Sequence, residues 1–405
     1  MLLCNVNTLE PGMEIGGSIP HPRRTSTELL RPGVTLDSRM INYLRRLGVS
    51  EVWIRHDATA DLDAAVASNL SAARLNVFNG LKKDFSRISV SSVSGAQLQT
   101  YRQSVTDLVF ELISSGQYAH LSHQLLTDPS QVFTHCANVA FLSLLVGLEM
   151  ETYLVSQRPQ LAPEHARDVV PLGLGAMLHD IGKIGTAQEA RQHHEIHAPL
   201  DDPETLETYR DHVHTGRQLL DVSRFPATAR HAVLNHRQRF DGTGWPDQAI
   251  STRGRQQGPQ QCTDIHIFCR IISAANVLDN LLNDPTKQRY PTVAALRDFN
   301  SDRFDGWFDP VVRYLMIRRL PPFPIGSLVL LSNSRKAVIV SLNFRQPCRP
   351  VVRVIDEACR DKNGELPMLN LDADRSTHIV EAAGQRVDQY LFDLPNLRTS
   401  ADKAA

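Results

Sequence analysis

Six cysteines are scattered through the 405 residues, at 4, 136, 262, 269, 348 and 359, with no C-x-x-C pair. Such spacing argues against a disulfide framework and reads as free thiols in a reducing compartment. Charge of one sign is also missing. The formal net charge is −1, so bulk electrostatics recruits neither a nucleic acid polymer nor an anionic membrane. Long hydrophobic runs are scarce: the longest, around Val139–Leu148, is about half of the ~20 residues a membrane span requires. The opening Met1-Leu-Leu-Cys-Asn-Val-Asn7 has no basic region ahead of an apolar one. These absences lead to the expectation of a soluble, cytoplasmic protein without a membrane partner. No internal repeat and no phospho-acceptor domain stand out.

What is present is an ordinary globular composition, 42% hydrophobic and 21% charged, in a chain long enough for two or three domains. Residues 1–56 read as a small α/β module. Turn signals at Leu9–Met13 and Leu30–Gly33 bracket short extended segments, a helix is expected over Leu36–Leu47 capped by Asp37 or Ser38, and a strand over Val49–Ile54. The module is too small for a rich core and is expected to pack on the domain that follows. Residues 57–118 read as a helical connector, with Leu62–Leu75 and Ala96–Leu112 as its helices and a polar stretch between them. Residues 119–300 carry helical patterns over Phe133–Val146, Asp168–Leu178, Asp202–Leu220, Ala227–His236 and Ile265–Leu282, a bundle-like set with short links. After the rigid Leu320–Gly326 linker, β-rich runs at Ser327–Leu331, Ala337–Leu342 and Val351–Ile355 define a small β-unit over 320–385, followed by a polar tail over 386–405. The expected fold class is therefore mainly α, with a small α/β module before the helical domain and a β-rich unit after it.

Histidine is the informative residue, since 13 of the 16 fall between His120 and His266. The apolar helix ending in His179-Asp180-Ile-Gly-Lys183 sets an imidazole beside a carboxylate, donors that suit a water-activating divalent metal. Lys183 follows four residues after His179, the spacing at which helical side chains share a face. A lone histidine on an apolar helix is more often a satisfied core residue than a ligand. His135, His179, His212 and His236, each from a different helical segment and joined by Asp180, make a shared centre the better reading, because bundles build metal sites from one inward side chain per helix. His193, His194 and His197 lie in a charged stretch that reads as solvated loop, and His214 and His231 read as surface positions.

The run His135-Cys-Ala-Asn-Val-Ala140, His179-Asp-Ile-Gly-Lys183, His212-Val-His-Thr-Gly216, His236-Arg-Gln-Arg-Phe-Asp241-Gly-Thr-Gly-Trp-Pro246 and Arg270-Ile-Ile-Ser-Ala-Ala-Asn276-Val-Leu-Asp279 resembles the HD-GYP domain in order and spacing. HD-GYP domains are the branch of the HD metal-dependent phosphohydrolases that hydrolyses cyclic di-GMP. The flanking α/β and β-rich pieces also resemble segments that accompany such domains. The chain departs from the family pattern in four places. His236-Arg237-Gln238 stands where the family has His-His-Glu, and Asn276 where it has Asp. Gln131 stands where some members carry a glutamate for a third metal, and Trp245 replaces the tyrosine of Gly-Tyr-Pro.

The resemblance implies a cyclic di-GMP phosphodiesterase with one or two divalent ions per chain, iron or manganese. Its metal ligands would be His135, His179, Asp180, His212, His236 and Asn276. Asp180 and Lys183 would be catalytic, and Lys183, Arg237 and Arg289 would contact substrate phosphate. Asn276 keeps a carbonyl oxygen but loses a negative charge. Arg237 cannot ligate, because guanidinium stays protonated. Pointing inward it would place a positive charge where a second metal would sit, or bind phosphate; pointing outward it would be only a missing ligand. The alternative implied function is a catalytically silent module that binds cyclic di-GMP or a partner protein. The Gly242–Pro246 loop would then be a surface for a GGDEF-type cyclase.

Overall fold

The computed structural model describes residues 1–21, 24–49, 51–63, 93–115, 132–184, 186, 196, 202–221, 225–246, 261–283, 291–356, 359–360, 362 and 364–394. They divide into two compact units, one formed by residues 1–68, 289–297 and 320–405, the other by 69–288 and 298–319.

In the first unit β1 (Leu2–Asn5) pairs antiparallel with β4 (Glu51–Ile54), and a second ribbon joins β2 (Ile19–His21) to β3 (Arg24–Leu30). Helix α1 spans Ser38–Arg46. Of the two candidate caps, Asp37 closes it by accepting a hydrogen bond from the Met40 N–H at 2.7 Å. Six further strands, β5 (Leu328–Leu331), β6 (Lys336–Ser341), β7 (Val351–Val354), β8 (Met368–Asn370), β9 (Ile379–Ala382) and β10 (Gln385–Arg386), form one antiparallel sheet in the order β10-β9-β5-β6-β7-β8. Its buried face, with Val329, Leu331, Ala337, Ile339, Val352 and Ile379, packs with Phe323 of the proline-rich linker and Val387. Burial of each valine, leucine, isoleucine or phenylalanine among them stabilises the unit by ~1.5–3 kcal/mol. Strands β8 to β10 carry no strong alternation and escape the sequence reading.

The N-terminal module joins this sheet. The Leu3 N–H donates to the Gly326 carbonyl at 2.7 Å, Asn5 Nδ2 donates to the Ala383 carbonyl at 2.8 Å, and Arg353 holds Asp61 through two bonds of 2.8 Å. The small module thus packs on the far end of the chain. Unpaired β1 backbone groups are satisfied best by another strand end, and that lies near Ser327.

The second unit is helical. Its named helices are α2 (Gly95–Ser115), α3 (Val132–Glu149), α4 (Val170–Leu178), α5 (Pro203–Leu219), α6 (Ala227–Asn235), α7 (Ile267–Leu282) and α8 (Pro310–Arg319). The fold class is the expected one: mainly helical, with small strands at the N-terminal end and an antiparallel sheet at the C-terminal end. Helix α3 packs against α4, α7 and α8, and α6 packs against α4 and α5. At 18 residues α3 is long and apolar enough to cross a membrane by length and composition, yet 72% of it is buried within the protein, which explains its apolarity by packing. The expected helices over Phe133–Val146, Asp168–Leu178, Asp202–Leu220, Ala227–His236 and Ile265–Leu282 correspond to α3 through α7. The segment Leu62–Leu75 lies largely outside the described residues.

Candidate metal centre

Four helices deliver four imidazoles to one point. His179 and His236 each stand immediately after a helix, α4 and α6, while His212 lies inside α5 and His135 in the first turn of α3. His179 Nδ1 lies 2.7 Å from the Ala176 carbonyl and His236 Nδ1 2.7 Å from that of Val233; His212 Nδ1 bonds to the Tyr209 carbonyl. In all three the partner is the carbonyl three residues earlier, so local helix geometry assigns the proton to Nδ1 and leaves Nε2 with a lone pair. His135 obtains the same tautomer from a distant residue. Its Nδ1–H donates to Asp279 Oδ2 at 2.7 Å.

The four Nε2 atoms surround the Asp180 carboxylate, which divides them into two sets. His179 Nε2 and His135 Nε2 lie 3.4 and 3.6 Å from Oδ2, whereas His212 Nε2 and His236 Nε2 lie 3.2 and 3.6 Å from Oδ1. In each set the potential ligand atoms are within 4.8 Å of one another. In the first set His135 Nε2 also faces Asn276 Oδ1 at 2.9 Å and His179 Nε2 at 3.2 Å. Three acceptor atoms turned on one another repel, and either a cation among them or an Asn276 amide turned to present its N–H₂ relieves this. Two imidazoles, a carboxylate oxygen and an amide oxygen form a donor set that fits a divalent ion.

The second set is different because Arg237 reaches into it. Arg237 is fully buried, its Nε–H donates to His236 Nε2 at 3.0 Å, and its Nη2 lies 3.5 Å from Asp180 Oδ1. The His236 lone pair is therefore already used. A dication ~4 Å from the guanidinium would meet repulsion on the order of 8 kcal/mol at an effective dielectric constant of ~20. Of the two orientations open to Arg237 in the sequence, the inward one is realised. Gln238, next in line, turns away and donates to the Pro246 carbonyl at 2.7 Å.

The surrounding turns fix these positions. The chain leaves helical geometry at Asp180 (φ −102°, ψ 16°) and continues as a single 3-10 turn over Ile181–Lys183. Lys183 consequently does not share a helical face with His179; its Nζ meets Asp180 Oδ2 at 2.9 Å instead. Gly182 permits this turn to press on α5, since a Cβ there would lie 1.9 Å from the His212 carbonyl oxygen. Gly244 does the same for the Asp241–Pro246 loop, where a Cβ would lie 2.3 Å from the Arg237 carbonyl oxygen. The loop then sets Trp245 edge-on to His212 and Tyr209, at centroid distances of 5.5 and 5.7 Å. The Tyr209 ring carries Lys183 on one approach and Arg237 on another, at 5.3 and 5.6 Å.

Burial dominates the titration of the centre. It lowers His179, takes His212 down to about 4, and holds His236 well below the ordinary imidazole range, where the Arg237 charge adds to the effect. Burial would raise Asp180, but the Lys183 charge and the imidazoles of His179 and His212 outweigh it and hold the carboxyl well below its usual range. Burial also lowers Lys183, against the attraction of Asp180 and with the repulsion of Arg237. At neutral pH the centre presents neutral imidazoles at His179, His212 and His236 beside an ionised carboxylate, the protonation states that metal binding requires.

Of the candidate site residues, the fold brings together His135, His179, Asp180, Lys183, His212, His236, Arg237 and Asn276. Arg289, Gln131, His193, His194 and His197 lie outside the described residues. His231, expected at the surface, is 8% exposed: α6 turns it inward against Asn235 and His266. Sequence reasoning left two participants without a role, Asp279 and Tyr209. Asp279 had a usable signal, because Asn276 and Asp279 stand three apart on one face of α7.

Comparison with known proteins agrees with this geometry. Residues 132–281 match the HD domain, and residues 328–388, the six-stranded sheet, match the KOW domain associated with HD domain. Residues 132–281 form an HD domain. The chain is 26% identical over 357 residues to the cyclic di-GMP phosphodiesterase PA4108 of Pseudomonas aeruginosa, covering 81% of this chain and 79% of that one. It is 28% identical over 160 residues to the cyclic di-GMP phosphodiesterase response regulator RpfG of Xanthomonas campestris, of which it spans 37%. Among solved structures it is similar to Bd1817, an HDG"Y"P protein from Bdellovibrio bacteriovorus, with 16% identity, a TM-score of 0.43, and coverage of 78% of this chain and 98% of that one.

Proposed function

We propose that this chain is a metal-dependent phosphodiesterase of the HD-GYP type that hydrolyses cyclic di-GMP. The observation that carries the reading is the convergence of His135 Nε2, His179 Nε2 and Asn276 Oδ1 beside Asp180 Oδ2, in a chain similar over most of its length to a phosphodiesterase of that substrate. These four residues would hold a divalent ion, iron or manganese. Such an ion supplies Lewis acidity toward a phosphoryl oxygen and lowers the pKa of water. Hydrolysis consumes one water: its oxygen bonds to phosphorus, the ester P–O bond breaks, and the departing oxygen takes up a proton. Asp180 holds the centre together, and Lys183 stabilises the charge that develops on phosphate oxygens. A cavity of about 810 Å³ opens beside Gly182, His212 and Trp245 and gives a ligand of dinucleotide size access to that edge.

The reading extends to the setting of the domain. The chain works in the cytoplasm, residues 119–300 form the catalytic domain, and the Gly242–Pro246 loop offers a surface to a GGDEF-type protein. Incubation with cyclic di-GMP and Mn(II) or Fe(II), followed by product analysis beside Asp180→Ala, tests the activity; product formation equal in both proteins rules it out. The burial of Arg237 inside the centre favours a second reading, a silent module that binds the dinucleotide. Binding without turnover in the same assay would decide for it.

A further inference from the structure

We infer that Arg237 is a built-in cation that takes the place of a second metal, so that the centre is mononuclear and His212 and His236 are not metal ligands. This rests on the reading that the first set, His135, His179, Asp180 and Asn276, holds an ion.

The two sets look alike as lists of residues, each with two imidazoles and one side of the Asp180 carboxylate. They differ in what already satisfies them. In the first set Lys183 Nζ meets Asp180 Oδ2 at 2.9 Å, while the His135 and His179 Nε2 atoms face one another and Asn276 Oδ1 as acceptors, a repulsion that an added cation resolves. In the second, a permanently charged guanidinium is in position, donating to His236 Nε2 at 3.0 Å and lying 3.5 Å from Asp180 Oδ1. An ion entering there would have to displace a fully buried side chain from beneath Tyr209 and Trp245, whose rings lie 5.6 and 5.9 Å from its guanidinium carbon. It would also give up the hydrogen bond that occupies the His236 lone pair.

Charge also weighs against a second ion. Asp180 spreads one negative charge over its two oxygens, with Arg237 at Oδ1 and Lys183 at Oδ2. With Asn276 neutral, a second dication would have no anion of its own, since Asp279 is committed to His135. His212 and His236 therefore serve as positioning residues: they support the guanidinium and Asp180 and touch no metal.

The test is a count of ions. Full-length chain is purified without chelator under low oxygen and analysed for iron and manganese, with Mn(II) titration as a second measure. The expected count is one per chain for the wild type, zero for His135→Gln and His179→Gln, and still one for His212→Gln and His236→Gln. Arg237→His should raise the count to two, and Arg237→Lys should leave it at one. Two tightly held ions in the wild type overturn the inference. Loss of the ion from folded His212→Gln or His236→Gln, judged by circular dichroism, overturns it equally. If Arg237→His does not fold, the wild-type and His→Gln counts still decide. A wild type that binds no ion at all sinks the metal reading and this inference with it. A wild type that holds one ion yet leaves cyclic di-GMP intact refutes only the proposed activity.

Discussion

Asp279 accepts the Nδ1–H of His135 at 2.7 Å across two helices, α7 and α3. The other three imidazoles of the centre take their tautomer from a carbonyl in their own helix, so His135 alone depends on a side chain distant in sequence. Asp279→Asn should lower affinity for the bound ion by ~10–100-fold, because the amide supplies no charge and can present its N–H₂ to Nδ1. Competition titration with a metal chelator measures this directly. An unchanged affinity would show that the carboxylate does not orient His135.

Among the described residues, six cationic or imidazole groups touch the Asp180 carboxylate: His135, His179, Lys183, His212, His236 and Arg237. Removing its charge while keeping its shape, as in Asp180→Asn, should reduce hydrolysis by at least ~10³-fold, since several kcal/mol of transition-state stabilisation leave with the ion. The variant should also unfold more easily by roughly 3 kcal/mol, because buried Lys183 and Arg237 lose their counter-charge. Denaturant unfolding without added metal separates the second effect from the first.

Arg270, on the face of α7 away from Asn276, forms a buried ion pair with Asp309 at 2.5 Å and also holds Gln157 Oε1 at 2.6 Å. Arg270→Leu leaves the buried Asp309 carboxylate without its counter-charge, held by the Tyr153 hydroxyl and the Val311 N–H, each at 2.9 Å, and should cost roughly 3–5 kcal/mol. The double variant Arg270→Leu with Asp309→Leu should regain most of that loss. Urea midpoints for the three proteins give the comparison.

Two groups outside the centre make the units respond to pH in opposite senses. Burial takes His266 of the helical unit down to about 3, and the charges of His231, Arg158 and Arg270 add to it; its Nδ1 accepts the Phe268 N–H at the start of α7. Its folded pKa lies below the unfolded value of ~6.5, so its contribution is complete above pH ~6.5 and is lost as pH falls toward 3. Burial raises Glu51 of the sheet unit to about 7, above the unfolded value, so its contribution is complete below pH ~4.3 and is lost as pH rises through 7. Lowering the pH from 7 to 5 should destabilise the helical unit by about 2 kcal/mol through His266 and stabilise the sheet unit by on the order of 1–2 kcal/mol through Glu51. Calorimetry of His266→Gln and Glu51→Gln checks each share: the first should flatten the acid loss, the second the alkaline one.

The sequence by itself determined the helices, because the apolar positions of α3 to α7 recur at helical spacing and their ends carry caps, prolines or glycines. It also determined which side chains could ligate, since His135, His179, Asp180, His212 and His236 stand at fixed places on those helices. Strands β8 to β10 were not legible, as they are two to four residues long and gain their order from neighbours in the sheet. Nor was the union of the N-terminal module with that sheet, which depends on hydrogen bonds between residues more than 300 positions apart, such as Asn5 with Ala383.

At the centre, tertiary structure decided the two matters that chemistry turns on. One is that Lys183 faces Asp180 rather than stacking on His179, because a 3-10 turn against α5 replaces the last helical turn. The other is the direction of Arg237, which a sequence motif leaves open. Its guanidinium goes inward because Asp180, brought from a distant point of the chain, and the preceding His236 offer it a carboxylate and a lone pair that solvent would otherwise have to supply. Ligand identity is local and is written in the order of residues. Which ligands remain available depends on what the fold packs against them.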